Sequence, residues 1–339
     1  MRVSILGSGA WGTAVALLMR ENGHYVTLWS KFADEAAILH KTRENPLLKG
    51  ISIPEDIVIT SDLDDATHGA EAAVVAVPSF AVRDTVTAIK GKITGECLVI
   101  CISKGIEKDT SSLFSGIIKE ILGKSMPVAA VSGPTHAEEV AAHIPTACVA
   151  ASEDIAVAQR VQAMLMNDCL RVYTSTDVIG VELGAALKNV IALSAGICEG
   201  LGFGDNTMAM LMTRGLAEIA ELCVKMGGRK ETLAGLAGLG DLIVTCISRH
   251  SRNRRAGILI GKGLPASDAM REVGAVVEGY YAAKAAYELS AAMNVDMPIC
   301  CEAYRVLYEG KSPNDGLREL MSRRSRSEGD DGEERWVTR

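Results

Sequence analysis

Val3-Ser4-Ile5-Leu6-Gly7-Ser8-Gly9-Ala10-Trp11-Gly12 leads from a short apolar run into a glycine turn, and Thr13 to Arg20 then carries apolar residues at helical spacing. Tyr25-Val26-Thr27-Leu28-Trp29 is a second apolar run. Gly-x-Gly-x-x-Gly between a strand and a helix, inside a strand–helix–strand unit of about 30 residues, is the context that makes a short motif specific. In such a turn Gly7 permits the tight bend, Gly9 lets the backbone approach a pyrophosphate and Gly12 lets the helix close on the strand. The helix start then offers free N–H groups and a positive dipole to phosphates. A glycine turn without a ligand is the competing reading, disfavoured at the very start of an α/β chain.

Sites that prefer an unphosphorylated dinucleotide usually carry Asp or Glu at the end of the second strand, for the ribose hydroxyls. Here Ser30-Lys31-Phe32 stands in that place, and the first acid, Asp34, reads as part of the next helix. The missing carboxylate removes repulsion against a 2′-phosphate, and Lys31 supplies attraction unless it is only a solvated surface lysine. On these residues NADP is permitted and, if Lys31 reads the 2′-phosphate, preferred.

Outward from this unit the alternation continues. Ile57–Thr60, Ala72–Val77, Cys97–Ile102, Pro127–Val131, Thr146–Ala151 and Cys169–Tyr173 read as strands with helices between them. The expected fold is therefore α/β, with an N-terminal Rossmann-type doubly wound sheet over residues 1–175. Ligands of such sheets bind beyond the carboxyl ends of the strands. Lys104 lies just past the Cys97 strand, where a cation suits an anionic ligand. Ser132-Gly133-Pro134-Thr135-His136-Ala137-Glu138 lies just past the next strand, and Thr135 with Glu138 reads as a capping box.

After Thr176 strand signals vanish, and residues 176–321 are expected to form a second, all-α domain. Asp177 to Gly200 is apolar on nearly every side, the mark of a buried helix, yet Lys188 sits in its middle. A buried ammonium needs a carboxylate, a ligand or trapped water. Glu182 is six residues away, about 120° round the helix, and points elsewhere. Leu233 to Leu242 is glycine-rich and ends beside Asp241, a candidate partner for Lys188; a flexible surface turn is the alternative. Ser248-Arg249-His250-Ser251-Arg252-Asn253-Arg254-Arg255 concentrates donors suited to phosphate, and a solvated helix start remains open for Arg249, Arg254 and Arg255. Val276-Val277-Glu278-Gly279 is an apolar turn with one acid. Residues 322–339 are polar and charged, and are expected to form a disordered tail.

Composition limits the function classes. A net charge of −7 argues against general nucleic-acid binding, and 48% hydrophobic residues exclude global disorder. Nine cysteines show no metal-ligand spacing and read as buried thiols of a reducing cytoplasm. No apolar run of about 18 residues is free of charge, so no membrane span is expected.

Six words stand in order: Gly-Ser-Gly-Ala-Trp-Gly-Thr-Ala, Ser-Lys-Gly-Ile-Glu, Ser-Gly-Pro-Thr-His-Ala-Glu-Glu-Val, Gly-Ala-Ala-Leu-Lys-Asn-Val-Ile-Ala, Gly-Leu-Gly-Asp-Leu-Ile-Val-Thr-Cys and His-Ser-Arg-Asn-Arg-Arg-Ala-Gly. Together they closely resemble the bacterial-type NAD(P)-dependent glycerol-3-phosphate dehydrogenases, from Met1 to about Met321. The resemblance implies reversible reduction of a phosphorylated triose, dihydroxyacetone phosphate, to sn-glycerol 3-phosphate, in support of phospholipid synthesis. It implies that Gly7, Gly9, Ala10, Trp11 and Gly12 bind NADP or NAD, with Lys31 and Phe32 near its adenosine end and Ala137, Val276 and Glu278 also in contact with it. Lys104 would meet cofactor and substrate, Gly133 and Thr135 the substrate, and Lys188 would be the proton acceptor. Asp241, Ser251, Arg252 and Asn253 would hold the substrate, Arg252 also reaching the cofactor. Ala10 stands where many relatives have Ser, losing one hydroxyl donor. Phe32 stands where many have Arg, which weakens any inference of NADP preference. No metal is implied, and a helical second domain of this kind is expected to form a homodimer. From the residues alone, a hydroxyacid dehydrogenase with a carboxylate substrate and a non-catalytic nicotinamide sensor are the rival readings.

Overall fold

The structure is a computed structural model that describes residues 1–325; the polar tail expected over 322–339 falls, from residue 326 onward, outside the described residues. Eight strands form one sheet: β1 Arg2–Leu6, β2 Tyr25–Trp29, β3 Val58–Thr60, β4 Ala72–Val75, β5 Leu98–Cys101, β6 Val128–Ser132, β7 Thr146–Ala151 and β8 Leu170–Ser175. Their order across the sheet is β3-β2-β1-β4-β5-β6-β7-β8. From β3 to β6 every pairing is parallel, β7 runs antiparallel to β6, and β8 is parallel to β7. Every residue of β4, β5 and β6 is buried, as expected of parallel strands covered by helices on both faces. Two apolar clusters fill those faces, one holding Ile5, Ala14 and Leu28, the other Leu6, Val86 and Ile118.

Strand order reverses between β1 and β4, the crossing point at which an open α/β sheet forms its ligand crevice. The carboxyl ends of β1, β4, β5 and β6 stand side by side and lead into Gly7, Ala76, Ile102-Ser103-Lys104 and Gly133 respectively. The glycine turn, Lys104 and the Gly133 segment, which the sequence singles out, are thus on one edge.

From Val178 to Met321 the chain is helical, so the sheet layer and the helical second domain follow one another as expected. The helix Val178–Gly200 is the axis of the second domain. It is long and apolar enough to cross a bilayer by length and composition, but it is almost wholly buried within the protein. Helix Arg252–Gly261 crosses it in close contact: a Cβ on Gly196 would lie 2.1 Å from the Arg254 carbonyl oxygen, and one on Gly257 would lie 2.0 Å from that of Leu193. This approach, open only to glycine, brings the start of the Arg252 helix against the long helix.

One local expectation is corrected and one alternative is set aside. The helix Ala137–Ala141 has His136, not Thr135, at its N-cap, and no side chain caps it. The Thr135 hydroxyl instead donates to the Gly133 carbonyl oxygen at 3.1 Å, turned towards Lys104. The glycine-rich stretch before Asp241 is no surface turn: Leu236–Gly240 forms one wide helical turn, with Ala237 and Gly238 buried, and runs directly into helix Asp241–Ile247.

Candidate active site

The glycine turn is built to admit a dinucleotide. Gly7 has φ +126°, and a Cβ there would meet the Ala76 carbonyl oxygen at 2.6 Å; a Cβ on Gly12 would meet the Gly7 carbonyl oxygen at 2.0 Å. Those two glycines are required by the chain itself. Gly9 is different: a Cβ there would meet nothing within 4 Å, so the space above it is open. Helix Ala10–Glu21 begins at this point with no capping side chain and no acid in its first turn, leaving its N–H groups and dipole unopposed. The indole N–H of Trp11 is buried without a partner among the described residues. An open cradle, free helix N–H groups and an orphaned donor fit the pyrophosphate of NAD or NADP. Asn45, which the sequence gave no reason to notice, steadies the turn by donating to the Ser8 carbonyl oxygen at 2.9 Å and to the Thr13 hydroxyl at 2.7 Å.

Beyond the strand ends lies a linked ionic cluster. Lys188, 5% exposed, points from the long helix at Asp241, with Nζ 3.1 Å from Oδ1. Lys104 reaches the other oxygen of the same carboxylate at 2.8 Å and also donates to the Gly133 carbonyl oxygen at 2.9 Å. The Ser132 hydroxyl donates to Asp241 at 3.3 Å. Lys188 further donates to the Thr245 hydroxyl at 2.8 Å, and that hydroxyl donates to the Asp241 carbonyl oxygen at 2.6 Å. Thr245 was missed, although it lies one helical turn after Asp241 and so must share its face.

These contacts set the charges. Burial pushes the Lys188 ammonium down to about 8; Asp241 opposes that shift, and Lys104 adds to it. Burial would raise the Asp241 carboxyl, but Lys104 and Lys188 outweigh it and hold the group below the usual carboxylate range. His136 is lowered by burial and by the same two lysines, so it is neutral at pH 7. Two cations against one carboxylate leave an excess positive charge, suited to an anionic substrate.

The donor cluster divides. Asn253 is buried, donating to Asn189 Oδ1 at 2.9 Å and accepting from the Gly279 amide at 2.8 Å, while Asn189 also accepts from Lys188 at 3.3 Å. Ser251 caps its helix, its hydroxyl accepting from the Arg254 amide at 3.2 Å. Arg254 turns away to Glu199 at 2.7 Å. Arg252 stays exposed at the helix start, close enough to Glu278 for its charge to be felt there. Glu278 begins a helix rather than sitting in the turn, and accepts from the Ser79 amide at 3.2 Å. Val276 is half-buried beside it, and Ala137 is buried at the first position of its helix. Lys31 and Phe32 are exposed past β2, Phe32 at 65%, and neither joins the cluster. The structure thus brings Lys104, Gly133, Thr135, Lys188, Asp241 and, through Asn189, Asn253 into one network. Ser251 and Arg252 stand next to Asn253 at the start of the same helix.

Two family models cover most of the chain: the N-terminus of NAD-dependent glycerol-3-phosphate dehydrogenase over residues 2–158 and its C-terminus over residues 177–318. The chain belongs to the NAD-dependent glycerol-3-phosphate dehydrogenase family. Within this family it is 48% identical over 328 residues to a glycerol-3-phosphate dehydrogenase [NAD(P)+] of Thermoanaerobacter sp. (strain X514), covering 97% of this chain and 99% of that one. It is 47% identical to the protein of that name from Clostridium perfringens (strain SM101 / Type A), over 96% and 99% of the two chains. The crystal structure of glycerol-3-phosphate dehydrogenase from Coxiella burnetii superposes with a TM-score of 0.92 at 36% identity, over 95% of this chain and 99% of that one. D-Mandelate dehydrogenase shares the fold alone, with a TM-score of 0.65 at 14% identity over 94% and 99% of the chains.

Proposed function

We propose that the protein catalyses the reversible NAD(P)H-dependent reduction of dihydroxyacetone phosphate to sn-glycerol 3-phosphate. The observation that carries this reading is the Lys188–Asp241–Lys104 cluster, set at the edge that also bears the glycine turn and beside the helix start of Ser251-Arg252-Asn253. In this reading the Gly7–Gly12 turn, with Ala10 and Trp11, holds the dinucleotide, Lys31 and Phe32 border its adenosine end, and Ala137, Arg252, Val276 and Glu278 complete its contacts. Bound there, the nicotinamide supplies or accepts the hydride.

The rest is the work of this chain. Reduction of the C2 carbonyl develops negative charge on oxygen, which needs a nearby cation and then a proton. Lys188, lowered to about 8 yet still mostly protonated at pH 7, provides both. In the oxidative direction its neutral form accepts the proton from the substrate hydroxyl. Asp241 orients Lys188 and keeps it charged against burial. Lys104 adds positive charge at the carbonyl oxygen and, with Gly133 and Thr135, lines the substrate. Ser251, Arg252 and Asn253 hold the distant phosphate, through the helix N-terminus and the Arg252 guanidinium, converting remote binding into orientation at C2.

The same reading divides the chain into a dinucleotide domain at 1–175 and a substrate domain at 176–321. It places the protein in the cytoplasm as a homodimer that supplies glycerol phosphate for phospholipid synthesis. The absence of disulfides among the nine cysteines supports a reducing compartment. The deciding test is NAD(P)H oxidation with dihydroxyacetone phosphate, alongside a panel of 2-oxoacids. Turnover with the triose phosphate is the expected result. Turnover only with oxoacids makes it a hydroxyacid dehydrogenase, and tight dinucleotide binding without turnover makes it a sensor.

A further inference from the structure

The end of β2 carries a carboxylate after all, delivered from the following helix. Gly7 donates its amide to the Trp29 carbonyl oxygen at 3.0 Å, so the glycine turn and the residue after β2 are held side by side. That residue is Ser30, 1% exposed, in the place where a dinucleotide site usually presents its ribose-binding acid. The Ser30 hydroxyl accepts from the Phe32 amide at 3.3 Å and donates to Glu35 Oε2 at 2.7 Å. The bond from the Phe32 amide holds the hydroxyl in place and its proton is directed at the carboxylate, so it pins Glu35 beside the strand end. Glu35 is half-buried in the first turn of helix Ala33–Thr42, where the helix dipole favours its charge. Its other oxygen, Oε1, has no partner among the described residues and is left to accept. The nearest cation in sequence, Lys31, is exposed on a flexible stem.

We infer that Glu35, pinned by Ser30, is the specificity-determining residue of the cofactor site. Through Oε1 it accepts the 2′-hydroxyl of the adenosine ribose, and by its charge it repels a 2′-phosphate. The missing strand-end acid is replaced in function by one five residues on, and the site favours NADH over NADPH. Lys31 offsets part of that repulsion without cancelling it. This rests on the glycine turn being a dinucleotide site, but not on the identity of the triose substrate.

The test is equilibrium binding of NADH and NADPH, followed by nicotinamide fluorescence without any triose, with ADP-ribose and its 2′-phosphate as competitors. Glu35→Gln is expected to raise affinity for NADPH relative to NADH by roughly tenfold, the scale of one like-charge contact near a protein surface. Ser30→Ala, which releases the carboxylate, is expected to move the same ratio in the same direction by less, and stands in if the Gln variant does not fold. An unchanged ratio in both variants overturns the assignment, and so does an equal loss for both cofactors, which would mean that Glu35 only braces the turn. If neither dinucleotide binds the native protein, the reading of the glycine turn falls with it. Triose turnover failing while the ratio shifts would leave Glu35 standing and sink only the substrate.

Discussion

Glu182 and Lys188 are two buried charges on one helix, 7% and 5% exposed, and they meet opposite company. Glu182 faces the sheet domain, where it accepts from the Ser115 amide at 3.0 Å and from the Ser115 hydroxyl at the start of helix Phe114–Leu122. No cation reaches it, and burial pushes its carboxyl up to about 7. Lys188 faces the strand-end crevice, where a carboxylate and a second ammonium compete over it. Burial disfavours charge at both places by the same physics. What differs is the partner: neutral donors make Glu182 a latch between domains, whereas opposing charges leave Lys188 with a proton that exchanges near pH 8.

The largest effect expected from this contrast is at Lys188. Lys188→Met should lower turnover by ~10²–10⁴ while leaving NADH affinity near normal, measured by steady-state kinetics and by cofactor titration. Near-normal turnover would remove Lys188 from the chemistry and make the two buried charges alike.

Next comes the titration itself. With Lys188 in the proposed role of proton acceptor, oxidation of glycerol 3-phosphate should speed up as pH passes about 8, and reduction, which would use the protonated form, should fall through the same range. Asp241 raises Lys188, so Asp241→Asn should move both limbs to lower pH. It should also cost ~10²-fold or more in kcat/KM, because the buried Lys188 and the half-buried Lys104 ammonium groups then face each other without the shared carboxylate. Limbs that stay in place in the Asn variant would show that another group governs them.

The smallest effect belongs to Glu182→Gln. Glu182 is raised above its unfolded value, so its contribution is fully present below about pH 4.3 and is lost as pH rises through about 7. The Gln oxygen can accept from the Ser115 amide while its NH2 donates to the Ser115 hydroxyl oxygen, and the group never ionises. The variant should therefore match the native protein near pH 4 and exceed its thermal stability by a few degrees at pH 8, with kcat little changed. A pH-independent difference in melting temperature would mean that Glu182 stays ionised in the fold.

Much of this was legible in the chain. The glycine turn, eight strands and the long buried helix each declare themselves by a local pattern, because burial on both faces demands continuous apolar runs and a tight turn demands glycine. Lys188 could be singled out, and Glu182 rejected as its partner, from helix geometry alone. Thr135 was misassigned as a cap because a Thr three residues before a Glu fits that role locally, while the competing attraction, Lys104, is 31 residues away. Asn189 and Asn45 carried no signal beyond their polarity, and Thr245 only its place one helical turn after Asp241. The reach of Glu35 back to Ser30 was hidden because Asp34 is the nearer acid in sequence but not in space.

The sequence by itself determined which segments are strands, which are helices, where the glycine turn lies and which charge is expensive to bury. These follow from spacing within ten or twenty residues. Only the tertiary structure decided that Lys104, Asp241 and Lys188, up to 137 residues apart in their contacts, share one carboxylate. Sheet order set four strand ends along one edge, and the glycine contacts between two helices pressed the donor cluster against the lysine helix. The pKa values that make the site reactive arise from those juxtapositions, since desolvation and charge act through space and not along the chain.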